Sequence, residues 1–149
     1  MKKILLVLAV MALGLTHISC NDDDDKHISF EQLPAESQAF IETHFHGVPI
    51  RMIEADNDGY DVYLQNGYEV DFYKSGEWKN IDGNYQALPA SFLALEPFGI
   101  ISTYVNEHYP GCHITEVDKD RQKNGYDVKL NTNLELIFEW NGTFRHIDY

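Results

Sequence analysis

The histidines are the first residues of this sequence that could do chemistry, because they could bind a metal ion. His44 and His46 lie close together, and His108 and His113 form a second group further along the chain. His44 and His108 fall at equivalent ends of two predicted helices, where the helix dipole already favours a histidine. No tight ligand spacing such as His-Glu-x-x-His is present. The sequence therefore favours helix-end histidines over a metal site, and we expect no cofactor.

Two acidic groups could also do chemistry. Asp56-Asn57-Asp58-Gly59 resembles the start of a calcium-binding loop, but Gly67 stands where the loop needs a glutamate, so a turn is the favoured interpretation. Glu69 and Asp71 form a carboxylate pair on one predicted strand. Solvent and Lys79 argue against the raised pKa values that acid–base catalysis would need. With no Gly-x-Ser-x-Gly motif either, we predict no catalytic residues and a protein that is not an enzyme.

The N-terminal residues 1–19 are predicted to be a signal peptide. Two lysines follow the first methionine, and residues 4–15 form an apolar run that is too short to span a bilayer comfortably. A cysteine follows where bacterial lipoproteins are cleaved and acylated, so Cys20 is predicted to become the lipidated N-terminus. His17 departs from the aliphatic residue that is usual at its position, and plain secretion is the alternative.

Residues 20–27 are predicted to be an acidic, solvated tether. Two interpretations stay open for this tether. It is a plain hydrophilic linker, or it is an export signal, since it resembles the Asp-rich tag that sends some lipoproteins of Gram-negative bacteria to the outer face of the outer membrane. Signal cleavage leaves 9 basic and 24 acidic residues, a net charge of −15, which disfavours nucleic acid and anionic lipid as partners. We expect an outer-membrane lipoprotein, periplasmic or surface-exposed, that meets the membrane only through its lipid. Cys112 is predicted to be a small buried hydrophobe.

The mature chain contains an internal repeat. Residues 60–82 align without a gap with residues 126–148; both segments begin with Tyr-Asp-Val, share one glycine and end with Ile-Asp. Upstream, each copy opens with Leu-Pro and has a helical pattern that ends before a glycine. We therefore divide the chain into a first copy, residues 28–82, and a second copy, residues 83–149.

Each copy is predicted to be a helix packed on a four-stranded antiparallel meander. Apolar residues recur at helical spacing after each Leu-Pro, and Pro97 should break the helical pattern of the second copy. Apolar and polar residues then alternate along four strand-like segments in each copy. The predicted fold class is therefore α+β, with two tandem units of this kind.

The same alternation predicts the strand register. A three-residue loop that ends at Gly67 pairs Leu64 with Tyr68, whereas a two-residue loop would put apolar and charged residues on one face. Gly67 should then be left-handed, and the equivalent Asn133 is the non-glycine residue that best tolerates this conformation. The same loop logic further along predicts two outward-facing pairs: Asp71 with Lys79, and Ile137 with Arg145.

These motifs resemble the PepSY-like family, also described as β-lactamase-inhibitor-like. The resemblance is carried by the Leu-Pro-opened helix ending in His-Phe or His-Tyr, the Tyr-Asp-Val-x-Leu strand, Gly-x-Trp or Gly-x-Phe, and the final Ile-Asp, and it covers residues 28–149. It implies a fold like that of the secreted β-lactamase inhibitor protein, whose tandem units present the concave side of one sheet to an enzyme. Relatives are often thought to hold peptidases in check. The family brings no defined catalytic residues.

An outward-facing row of polar and aromatic residues is the candidate binding face. Tyrosines among charges suit protein recognition, because each supplies contact area and a hydrogen bond at small entropic cost. The alternative is a solvated face with cross-strand ion pairs that each contribute little. The candidate residues are Asp61, Tyr63, Glu69, Asp71, Tyr73 and Lys79 in the first copy, and Asp127, Lys129, Glu135, Ile137 and Arg145 in the second.

Three functions fit the sequence. The favoured one is a non-enzymatic binding module that engages an envelope or extracellular protein or peptide through the sheet face. The second is an inhibitor of a secreted or envelope enzyme, such as a peptidase or a β-lactamase, with plugging loops near Gly59 and Gly125, or at Ser75-Gly76 and Asn141-Gly142. The third is a scavenger of a small ligand or metal.

Overall fold

The structure, a computed structural model, describes residues 26–148. The predicted signal peptide, Cys20 and the aspartates of the tether lie outside the described residues. Within residues 26–148, nine strands form one antiparallel sheet in chain order. They are β1 Lys26–His27, β2 Ile50–Ala55, β3 Gly59–Leu64, β4 Glu69–Tyr73, β5 Trp78–Asp82, β6 Ile114–Asp120, β7 Gly125–Leu130, β8 Glu135–Glu139 and β9 Phe144–Asp148.

In the described part of the chain, three α-helices accompany the sheet: α1 Ala35–His44, α2 Ala90–Leu93 and α3 Phe98–His108. Pro34 immediately precedes α1, and the break predicted at Pro97 separates α2 from α3. The apolar side chains of the helices, among them Ile41, Phe92 and Ile101, are buried in one core with the inward side chains of the strands. Among the described residues, no helix is long and apolar enough to cross a membrane.

The mixed helix and antiparallel-sheet class is confirmed, but in place of two tandem units of one helix on a four-stranded meander the described residues form one nine-stranded sheet. Strands β5 and β6 pair through Asn80 with Asp118, Ile81 with Val117, and Asp82 with Glu116, so the strands of the two copies form one sheet. Each meander would otherwise leave an unpaired edge, and this pairing satisfies both edges at once. Strand β1 pairs with β2 and takes Lys26 and His27 from the segment predicted to be tether.

Trp78 joins the two copies inside the core. Its ring stacks at 6.3 Å between centroids against Tyr126 of the second copy, and it meets Phe92 edge-on at 5.2 Å. On the first-copy side it stacks on Phe40 of α1 at 6.4 Å. The Nζ atom of Lys119 lies 4.0 Å from the centre of the Trp78 ring. Aromatic contacts of this kind add to the stabilisation from burial, so the two copies share one core.

The register of the first hairpin is confirmed. Val62 lies opposite Val70, and the amide of Leu64 donates to the carbonyl oxygen of Tyr68 at 2.8 Å. Gly67 has a φ angle of +94°, and the equivalent Asn133 has a φ angle of +62°. The three-residue loop therefore recurs in both copies, with a left-handed residue at its end.

The two outward pairs predicted at the next loop are wrong. Asp71 lies opposite Asn80 and not Lys79, and Ile137 lies opposite His146 and not Arg145. In each copy a β-bulge inserts one extra residue after the inward aromatic of the last strand, which shifts the later pairs by one. Lys79 and Arg145 are these extra residues.

We predict that Gly67→Val lowers the free energy of unfolding by about 1–3 kcal/mol, because a β-branched residue is strained at positive φ. The matched variant Gly67→Asn should change the free energy of unfolding by only a few tenths of a kcal/mol, since Asn133 already adopts this conformation. Urea denaturation of both variants measures the difference. Equal stability of the two variants would contradict a left-handed residue 67.

Candidate binding face of the sheet

The sheet face opposite the helices, here called the outer face, carries a row of acidic side chains. Because every second residue of a strand points to the same face, residues directly opposite one another across neighbouring strands form a continuous row. This acidic row crosses strands β2 to β7 in the order Glu54, Asp61, Asp71, Asn80, Asp118 and Asp127. Like charges directly opposite one another disfavour folding, so the stability of the fold alone does not account for this row.

A second row lies beside it, one pleat along the strands. It runs across β3 to β9 in the order Tyr63, Glu69, Asp82, Glu116, Lys129, Glu135 and Asp148. Lys129 is its one basic member: its Nζ atom lies 2.7 Å from the Glu116 carboxylate and 3.8 Å from that of Glu135. The second-copy end of this row is therefore better neutralised than the first-copy end.

Asp71 is the most strongly perturbed carboxyl of the acidic row. Burial, followed by the charges of Asp61 and Glu69, raises its pKa to about 7, although Lys79 acts in the opposite direction. Its Oδ1 atom is buried and has no hydrogen-bond partner. Burial also raises the pKa of Glu69 and that of Asp118. The prediction that Glu69 and Asp71 keep ordinary pKa values was wrong, because half-burial outweighs the one nearby lysine.

The two candidate tyrosines of the first copy lie on the outer face and are each approached by an arginine. The guanidinium carbon of Arg51 lies 5.4 Å from the centre of the Tyr63 ring, and that of Arg121 lies 4.3 Å from the Tyr73 ring. Burial, with Glu69 and Asp61, raises the pKa of Tyr63. Both rings are therefore half-buried platforms that already bind cationic side chains of this chain.

A loop bridges the second-copy half of the outer face from β7 to β9. The Nζ atom of Lys123, in the connection between β6 and β7, lies 2.6 Å from Asp127 on β7 and 2.9 Å from Asp148 on β9. Since β8 lies between these strands, the bridge crosses β8, which carries Ile137. Arg145 donates to the backbone carbonyl oxygens of residues 123 and 124 and so holds this loop in place.

Ile137 is consequently not available to a partner. Its exposed fraction is 0 %, whereas the sequence placed it on the open face. The structure puts Ile137 on that face but under the Lys123 bridge. Of the other candidates, Asp61, Tyr63, Glu69, Asp71 and Tyr73 of the first copy, and Asp127, Lys129 and Glu135 of the second, lie half-buried on the outer face, while Lys79 and Arg145 are exposed bulge residues.

Two open depressions lie on the outer face. The larger, about 520 Å³, is lined by Arg51, Tyr63, Glu69, Asp82 and residues of the adjoining loops. The smaller, about 210 Å³, lies near the junction of the copies and is lined by Glu116, Asp118, Asp127, Val128, Lys129 and Glu135. Acidic side chains line both, so cationic groups are the ones that these depressions suit electrostatically.

Asp56, His44 and His108, which suggested metal chemistry, have other partners. Asp56 Oδ1 accepts hydrogen bonds from the amides of Asp58 and Gly59, at 2.6 and 2.7 Å, which confirms a turn. His44 Nδ1 lies 3.0 Å from the hydroxyl of Ser91, and His108 Nδ1 lies 2.9 Å from a backbone carbonyl oxygen. The described residues contain no group of three or more His, Cys, Asp or Glu side chains placed to hold one metal ion.

The candidate plugging loops and Cys112 also take other roles. Gly59 and Gly125 are buried at the start of strands, where a Cβ would collide with the carbonyl oxygens of Phe72 and Phe138. Gly76 packs against Pro34, and Gly142 packs against Pro97 and Ile100, so these turns support the helices. Cys112 packs against the core, as expected for a small hydrophobe, but is only partly buried.

Sequence reasoning missed Lys123, Arg51, Asn80 and Asp118. A signal for Lys123 was available, because the second copy has two more residues than the first between the positions equivalent to Ala55 and Tyr60. The pairing of β5 with β6, which adds Asn80 and Asp118 to the acidic row, had no such local signal.

Comparison with known proteins gives consistent results. The family model described as "Putative beta-lactamase-inhibitor-like, PepSY-like" matches residues 21–64 and 58–146. A "putative calcium-regulated periplasmic protein" of Bacteroides thetaiotaomicron is 32% identical, with a TM-score of 0.76 over 85% of this chain and 98% of that one. None of the curated proteins compared with the chain matches it.

Two proteins of Bacteroides vulgatus, each described as a "putative periplasmic protein", have similar structures. One is 32% identical, with a TM-score of 0.75 over 86% of this chain and 99% of that one. The other is 27% identical, with a TM-score of 0.74 over 84% of this chain and 99% of that one. The periplasmic descriptions of these relatives support an exported location. The two overlapping family matches fit the two copies of the repeat, and the chain belongs to the PepSY-like, β-lactamase-inhibitor-like family.

Proposed function

We propose that this chain is a non-enzymatic binding module of the cell envelope, tethered through a lipid on Cys20, which engages a protein or peptide with the outer face of its sheet. The observation that carries the proposal is the one-sided architecture. In the part of the chain that the structure describes, all three helices pack on one face, and the opposite face presents two rows of charged and aromatic side chains. A sheet solvated on one side is an ordinary structure, but one with half-buried carboxylates directly opposite one another is costly.

Inhibition of an envelope enzyme is the second candidate. The family description as inhibitor-like favours it, and a broad, rigid sheet face suits a tight protein complex. The turns at Gly76 and Gly142 are occupied in supporting the helices. An inhibitory contact would therefore use the sheet face as well, and identification of the partner decides between the two functions.

A scavenger of small ligands or metals is the third candidate. One relative is described as calcium-regulated, and carboxylates are the ligands that calcium prefers. A thermal shift on adding calcium would test this function directly.

We predict that affinity capture from envelope and secreted extracts, with residues 21–149 as bait, recovers a partner that a Tyr63→Ala/Tyr73→Ala/Lys79→Ala variant loses. The substitutions remove two aromatic platforms and one exposed cation from the first-copy half of the outer face. Interface tyrosines commonly carry much of the binding energy. Mass spectrometry of the captured proteins provides the measurement.

The matched control is Lys74→Ala/Leu95→Ala/Ile100→Ala, which removes one exposed cation and two exposed apolar side chains elsewhere. It should retain the partner, and melting temperatures verify that both variants are folded. If all three baits recover the same proteins, the outer face is not a binding surface.

Asp71 provides a second test, because a functional face can keep a residue that the fold alone disfavours. A folded-state pKa of about 7 lies above the ordinary value of 3.8, so ionisation of Asp71 opposes folding. Its contribution to stability is fully present below pH 4 and is lost as the pH rises to about 7. We predict that Asp71→Asn raises the free energy of unfolding by about 1–2 kcal/mol at pH 8, after discounting for partial solvent exposure.

The gain should shrink steadily from pH 7 and vanish near pH 4, as measured by urea denaturation. Asp127→Asn is the opposite control, since it breaks the bridge with Lys123 and should lower stability at pH 8 by up to about 1 kcal/mol. A loss of stability in both variants would contradict the proposed cost of Asp71.

A further inference from the structure

The second copy shows how the outer face binds a cation. Lys123 Nζ lies between the carboxylates of Asp127 and Asp148, and their hydrogen bonds raise the pKa of Lys123. Arg145 fixes the loop that delivers this lysine. The contact is therefore an ammonium group seated on two carboxylates that belong to strands two apart, above the strand between them.

The first copy has an equivalent pair of carboxylates, and we call each such pair a seat. The loop beside the first-copy pair is shorter. Asp61 and Asp82 are the equivalents of Asp127 and Asp148 at the repeat offset of 66 residues. The connection from β2 to β3, residues 56–58, is Asp-Asn-Asp and contains no lysine or arginine. Asp71 lies on the intervening strand, where the second copy has Ile137. The first-copy seat therefore has one more acidic residue than the second and no cation delivered by its own loop.

We propose that the first-copy half of the outer face binds a lysine- or arginine-rich segment of a partner protein, whose cationic groups sit on the first copy as Lys123 sits on the second. The proposal rests on the function proposed above and assigns the chemistry of its partner. Charge complementarity carries it, together with the internal example of the second copy.

The dimensions favour a polypeptide as the occupant. From Asp61 on β3 to Asp118 on β6 the acidic row crosses three strand spacings, roughly 14 Å. Alternate side chains of an extended peptide are about 7 Å apart, so two or three cationic groups can follow the row. Tyr63 and Tyr73 flank it and already contact guanidinium groups. An arginine of a partner could use the same platforms.

The test uses the full-length protein in a neutral detergent and a short fluorescent oligolysine as the probe, with anisotropy as the readout. At pH 8 the variant Glu69→Gln/Asp71→Asn/Asp82→Asn removes three charges from the first-copy half of the outer face. We expect its affinity for oligolysine to be about tenfold lower, because several charge contacts that are each modest are lost together. Binding by the wild type should weaken as salt is added, because exposed charges are screened.

The matched control is Glu36→Gln/Glu42→Gln/Glu107→Gln, which removes three exposed charges from helices α1 and α3. It should bind oligolysine like the wild type. Equal loss in both variants would show adsorption by net charge alone and overturn the proposal. If oligolysine fails to bind and millimolar calcium raises the melting temperature of the wild type but not of the face variant, the face binds a divalent ion and the proposal also falls.

A substitution of Lys123 provides an independent test of the proposal. Lys123→Gln should raise the affinity for oligolysine by a few-fold, because it vacates the second-copy seat, whereas Lys26→Gln, an equal charge change at an exposed site, should not. Equal effects of the two substitutions would count against the seat.

The capture experiment separates this inference from the proposed function. A partner that the tyrosine variant loses but the face variant retains would leave the binding module standing and overturn the cationic segment. If the bait captures no specific partner and oligolysine does not bind, both the binding-module function and the cationic partner segment are contradicted.

Discussion

The pairing of β5 with β6 is the constraint on which the rest of the structure depends. Ile81 and Val117 must both point into the core, and this requirement fixes the register of the pair. Because side chains alternate, the neighbours of these two residues must then meet on the opposite face, where Asp82 lies against Glu116. Burial of the apolar pair outweighs the like-charge contact, since a buried aliphatic side chain contributes about 1.5–3 kcal/mol and an exposed charge contact less than about 1 kcal/mol.

The two copies have kept one scaffold and acquired different outer faces. A longer connection between β6 and β7 brings Lys123 over the second-copy half, which Arg145 secures, and Ile137 beneath it is fully buried. In the first copy the corresponding strand carries Asp71, whose ionisation opposes folding. A duplicated fold thus contains one half-sheet bridged by a lysine of its own loop and one half-sheet whose equivalent loop has no lysine or arginine.

Alternation and turn chemistry were enough to predict the hairpin register, the left-handed Gly67 and Asn133, and the break at Pro97. These features are local, because they depend on residues a few positions apart. The pairs beyond the bulges at Lys79 and Arg145 were predicted wrongly, since an extra residue leaves the alternation pattern almost unchanged while shifting every later partner. The perturbed pKa of Asp71 was missed because it depends on burial between strands of the assembled sheet.

The sequence by itself determined the duplication, the α+β class, the family and which residues of the β3–β4 and β7–β8 hairpins point outward, because repeats and period-two alternation are written along the chain. The tertiary structure decided how the two copies meet, that their outward carboxylates form one row, and that Lys123 bridges β7 to β9 across the second-copy half of the face. Those outcomes depend on contacts between residues far apart in sequence, in particular Asn80 with Asp118 and Lys123 with Asp148. Only the folded sheet brings these groups within the few ångströms over which charges and hydrogen bonds act strongly.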